Sequence, residues 1–102
     1  KLIEDAKLLE KAGCFSIVLE KIPADLAKKV AKSVNIPIIG IGAGADVDGQ
    51  VLVLHDMLGM THEFNPRFLR RYLNLFEDAT KAIKNYSEDV KNGKFPSKEE
   101  EY

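Results

Sequence analysis

The sequence predicts an α/β fold whose strands lie parallel in one sheet. Short runs such as Phe15–Leu19 and Ile36–Ile41 are apolar at nearly every position, which suits strands of a parallel sheet. Segments with apolar residues at three- and four-residue spacing flank those runs and read as helices. The resulting order is helix, strand, helix, strand, loop, strand, helix, and strands joined through helices pair in parallel with helices packed on the sheet. Three strands leave open edges and a bare face. The chain is therefore expected to be half of a barrel or to pair with another copy.

Each element has its own signals. Lys1–Lys11 places Leu2, Ala6, Leu9 and Gly13 along one helical face, with Ile3 and Leu8 beside it, and Gly13 suits the residue that ends the helix. A strand over residues 15–20 then ends on Glu20. Pro23 fits the first helical position, and Asp25 lies in the first turn, where the helix dipole favours an acid. Leu26, Val30 and Val34 form the ridge of this second helix, with Ala27 and Ala31 in support. Ile36 to Gly42 is the second strand, and Pro37 is tolerable because it stands at the start.

Gly42 to Gly49 is a flexible turn, and residues 50–54 form the third strand, ending on His55-Asp56. A loop passes through Met60 and His62. Asn65-Pro66 then has the form of an N-cap followed by proline at the first helical position. The last helix is expected from about Pro66 to Asn92, with Phe68, Tyr72, Phe76, Ala79, Ile83, Tyr86 and Val90 as its stripe. Residues 1–92 form the folded segment on this reading, and 93–102 a polar tail.

Composition excludes several function classes. Fifteen basic and sixteen acidic residues leave a net charge of -1, which offers no footprint for nucleic acid. The single Cys14 excludes an intrachain disulfide, reads as a buried structural thiol, and suits a reducing, cytoplasmic setting. The apolar runs fall far short of the roughly 20 residues that span a bilayer, so no membrane role is expected. Lys1–Asp5 has neither a signal-peptide pattern nor an initiating methionine, so a chain cut from a longer one is expected.

Function in parallel α/β sheets gathers past the carboxyl ends of the strands. Glu20 ends a run with no other charge. A partly desolvated carboxylate there could serve as a general base, whereas the plainer alternative is a strand-end acid in water or paired with Lys21, Lys28 or Lys29. Gly40-Ile41-Gly42-Ala43-Gly44 fails the dinucleotide pattern by one residue, and no helix follows it directly. Such a turn can present N–H groups to a phosphate or simply let backbone approach closely. His55-Asp56 could be a ligand pair, an acid–base pair or a loop-ordering pair, but adjacent strand residues point to opposite sides.

Several motifs together carry a specific resemblance. Phe15–Glu20, Ile36–Gly44, Asp48–Asp56, Leu58-Gly59 and the late Gly93-Lys94-Phe95-Pro96 resemble the ketopantoate hydroxymethyltransferase family, in the family's order and over all 102 residues. The resemblance implies the last two-fifths or so of a (β/α)8 TIM barrel. It implies transfer of a hydroxymethyl group from 5,10-methylenetetrahydrofolate to 2-oxoisovalerate (3-methyl-2-oxobutanoate), giving ketopantoate for pantothenate and coenzyme A synthesis. Glu20 matches the glutamate that takes the proton from carbon 3, and Ile41, Val51 and Val53 match apolar residues of the substrate pocket. The family's Mg2+ ion would be held by acids on strands outside this chain, and no residue here matches a metal ligand. Complete members form large homo-oligomeric rings, and this chain alone is expected to be inactive.

Overall fold

The computed structural model describes residues Lys1–Tyr102, which fall into two compact units. The first is Lys1–Val53 with Pro66–Leu69, and the second is Leu54–Asn65 with Arg70–Tyr102.

The first unit contains α1 (Leu2–Lys11), β1 (Ile17–Glu20), α2 (Ala24–Ser33), β2 (Ile38–Ile41) and β3 (Gly49–Gln50). The three strands pair in parallel in the order β1-β2-β3, as the sequence predicts of a portion of a (β/α)8 barrel. Its core joins Ala6 of α1, Ile17 and Leu19 of β1, Ala27 and Val30 of α2, and Val34, Ile38 and Ala43. The expected ridge is buried at Val30 of α2 and at Val34 just past the helix end, and partly buried at Leu26. Burying an aliphatic side chain of this size stabilises by roughly 1.5–3 kcal/mol. Polar bonds fix the register: the Ile38 N–H donates to Asp48 Oδ2 (2.8 Å), and the Asp48 N–H returns to the Ile38 carbonyl (2.9 Å).

One face of the sheet is bare, as expected of three strands alone: Ile17 and Leu19 are buried, while Val18 between them is 59% exposed. Three expectations need correction here. Strand β1 starts at Ile17, and Phe15 before it is 88% exposed. Leu9 of α1 is also exposed, so that helix buries only Ala6 fully. Strand β3 is far shorter than residues 50–54. The Val51 N–H still donates to the Gly40 carbonyl at 2.8 Å, but β2 ends at Ile41 and Gly42 turns away with φ +66°. Residues beyond Val51 have no strand left to pair with, and Leu54–Met57 coils into the short helix α3.

The second unit holds α3 and α4 (Leu75–Lys91). Helix α4 starts nine residues after the expected Pro66. The Tyr72 N–H is spent on the Met57 carbonyl (2.8 Å), and those of Leu75 and Phe76 go to Leu58 and Gly59 (2.9 Å each). Tertiary acceptors thus satisfy the donors that a longer helix would have used or left orphaned. Gly59 has φ +66°, and a Cβ there would overlap the Leu73 carbonyl oxygen. Arg71 Nη2 donates to the carbonyls of Thr61 (2.8 Å), His62 (3.2 Å) and Phe64 (2.9 Å), tying the loop. Ile83, Tyr86 and Val90 of the stripe are exposed, and no residue of α4 is buried. The start of the 93–102 tail is held by the Phe95 ring set edge-on to Tyr86, centroids 5.5 Å apart.

Candidate active site at the strand ends

Register places Glu20 level with Ile41. Leu19 and its partner Gly40 are buried on the helix side, so alternation turns Glu20 and Ile41 to the open face. Gly40 pairs with Gln50, and the Val51 N–H bonds to Gly40, so Val51 is the next residue level with Ile41. One carboxylate and two aliphatic groups therefore share a row across the carboxyl ends of three parallel strands. Val53, the fourth expected residue, lies beyond the paired stretch and is 45% exposed. Register does not bring it into the row.

Glu20 is exposed and makes no ion pair with any of the three lysines considered for it. Lys28 pairs with Asp46 at 3.4 Å. Lys21 has its ammonium 5.9 Å from the centre of the Phe68 ring. The backbone of Lys21 is left-handed, φ +51°, the single non-glycine residue in that region. A side chain there costs about 1 kcal/mol or more. Its N–H donates to the Ile41 carbonyl at 2.9 Å, so the turn that follows Glu20 is tied to the end of β2.

The glycine turn is explained by close packing. A Cβ on Gly40 would lie 3.1 Å from Val47 Cγ2, and one on Gly44 would lie 2.5 Å from the Cβ of Ala24. The Gly44 carbonyl accepts from Gln50 Nε2 at 2.7 Å. His55 and Asp56 belong to α3 instead of ending a strand. Their bonds order the loop: the His55 carbonyl accepts from the Met60 N–H (2.9 Å), and Asp56 Oδ1 accepts from the Thr61 hydroxyl (3.3 Å). Cys14 is half-buried, not buried. No three His, Cys, Asp or Glu side chains converge on a point that could hold a metal ion, so these residues do not by themselves fit a Mg2+ site. No helix is long and apolar enough to cross a membrane.

Sequence reasoning missed two residues of this region. Lys21 entered only as an ion-pair partner of Glu20, and Phe68 was placed in a helix. A left-handed lysine leaves no compositional trace, and the Lys21–Phe68 contact joins residues far apart in the chain.

Comparison with known proteins shows the family. Residues 1–98 match the family model described as ketopantoate hydroxymethyltransferase. The chain is 72% identical over 102 residues to the 3-methyl-2-oxobutanoate hydroxymethyltransferase of Flavobacterium johnsoniae, and equally so to that of Christiangramia forsetii. Identity to the protein of that name from Bacteroides thetaiotaomicron is 65%. All of this chain is covered in each case, but it spans only 37–38% of the length of these curated relatives. The match over residues 1–98, with which the parallel sheet is consistent, shows that the chain belongs to the ketopantoate hydroxymethyltransferase family.

Proposed function

We propose that these residues form the general-base side of an enzyme that makes ketopantoate from 2-oxoisovalerate and 5,10-methylenetetrahydrofolate. The observation that carries this reading is the shared row of Glu20, Ile41 and Val51 on the open face of the sheet. Glu20 takes the proton from carbon 3 of the 2-oxo acid. The electron pair left on the enolate forms the new carbon–carbon bond to the methylene carbon, water supplies the hydroxyl oxygen, and tetrahydrofolate departs. Ile41 and Val51, joined by Val53 on the family resemblance alone, hold the branched alkyl group by apolar contact and keep water from it. The family resemblance adds Mg2+, a cytoplasmic location and a homo-oligomer to the proposal. Since these 102 residues contain no ligand set for the ion, the reading assigns them only proton removal and the pocket wall.

The exposed sheet face favours a corollary. Val18, Val51 and Val53 are 43–59% exposed, so residues 1–102 on their own present an unfinished pocket and are expected to be inactive. The test is Glu20→Gln in a complete enzyme in which this chain is the C-terminal portion. General-base catalysis contributes about 10²–10⁴-fold, so turnover should fall by that order while binding of 2-oxoisovalerate changes little. Unchanged turnover would remove Glu20 from the reaction.

A further inference from the structure

We propose that Phe68 is a positioning residue that keeps Glu20 unpaired by holding the neighbouring Lys21 ammonium against its ring. The inference rests on the general-base reading of Glu20 and adds to it a device that selects the state of the base.

Lys21 follows Glu20 directly, and its flexible four-carbon stem can bring the ammonium to a neighbouring carboxylate. A paired carboxylate accepts a proton less readily than a free one, so an ammonium beside a catalytic base works against it. The structure shows the alternative: Glu20 makes no ion pair, and Lys21 Nζ lies 5.9 Å from the Phe68 centroid, within cation–π range.

The ring is held in place from below. A Cβ on Gly42 would lie 3.2 Å from Phe68 Cγ, 3.3 Å from its Cβ and 3.4 Å from Cδ1, so Phe68 occupies the space that the glycine leaves open. Leu69, the next residue, is buried, and its N–H closes a turn onto the Pro66 carbonyl at 3.1 Å. Gly42 and Lys21 each stand one residue beyond the Ile41–Glu20 pair. Phe68 thus bears on the ends of both strands. It also gives a reason for the left-handed turn at Lys21, since that turn redirects the lysine from the line of the strand.

Exchange of the carbon-3 proton of 2-oxoisovalerate into deuterated water, without folate, measures the proposal in the complete enzyme. A cation–π contact at an exposed site is worth a population ratio of about two- to fivefold, so Phe68→Leu should slow exchange by that factor. Adding Lys21→Met to Phe68→Leu should restore it, and Phe68→Tyr should keep the parent rate. A loss that Lys21→Met does not relieve would make Phe68 a mere packing residue and overturn the proposal, as would an unchanged rate in Phe68→Leu. If Phe68→Leu does not fold, replacing Phe68 with mono-, di- and trifluorophenylalanine keeps the shape while weakening the ring's negative face. Exchange should then fall stepwise, and a flat series overturns the idea. Glu20→Gln run alongside separates the two layers. Parent-rate exchange there defeats the general-base reading and this proposal with it, whereas lost exchange there with no effect at Phe68 defeats this proposal alone.

Discussion

The two compact units differ in how they are held together. Lys1–Val53 with Pro66–Leu69 has eight residues joined in a buried cluster drawn from two helices and two strands and the turns beside them. Leu54–Asn65 with Arg70–Tyr102 buries Gly59 and no large side chain, and it is organised by backbone and guanidinium hydrogen bonds between residues 57–64 and 71–76. A packed core transmits volume changes, while a hydrogen-bonded loop responds to steric overlap at a few backbone positions. The proposed active row belongs to the packed unit. Residues that must hold a carboxylate in register profit from that rigidity.

The contrast can be broken by substitution, and the largest effect belongs to the core. Ile38 is fully buried, so Ile38→Ala should cost about 2–5 kcal/mol, whereas Ile83→Ala on the exposed stripe of α4 should stay within about 0.5 kcal/mol. Urea midpoints of the two variants give the comparison, and equal losses would show that α4 is as tightly packed as β2. Next come the glycines. Gly59→Ala forces a Cβ onto the Leu73 carbonyl oxygen and should cost more than Gly13→Ala, where φ is also positive but nothing lies within 4 Å. The second change carries only the conformational cost of roughly 1–2 kcal/mol. Of the same order as Gly13→Ala is Asp48→Ala, which leaves the Ile38 N–H without its carboxylate and should cost about 1–3 kcal/mol if water cannot reach it. Amide exchange at Ile38 should rise more than at Val18. Smallest is Lys84→Ala, which removes an exposed i,i+4 pair to Glu88 worth about 0.3–0.5 kcal/mol.

The packed unit was also the part legible in the sequence. Pro23, Asp25 and the 26–30–34 ridge mark α2 locally, and the apolar runs ending at Glu20 and Ile41 give parallel strands in the right order. What failed depended on partners distant in sequence. The length of β3 is set by where Gly42 takes β2 out of the sheet. The start of α4 is set by carbonyls at residues 57–59, which draw off the donors of Tyr72, Leu75 and Phe76. Asn65-Pro66 carried the right local chemistry for a helix start and opened only a single turn, since the chain beyond it had stronger claims on its backbone. At the site, Glu20 was legible as the one charge ending an apolar run, while Ile41 and Val51 were named through the family resemblance alone. The hold of Phe68 on Lys21 was not legible, because a contact across 47 positions has no periodicity.

The central claim is that Glu20 itself removes the carbon-3 proton, and chemical rescue tests it most directly. In a complete enzyme bearing Glu20→Ala, exchange of that proton into deuterated water should fall by about 10²–10⁴-fold. Added formate, small enough to enter the space the side chain vacates, should restore exchange in a saturable way. Exchange at the parent rate in Glu20→Ala without formate would contradict the account and leave Glu20 a solvated acid at the end of a strand.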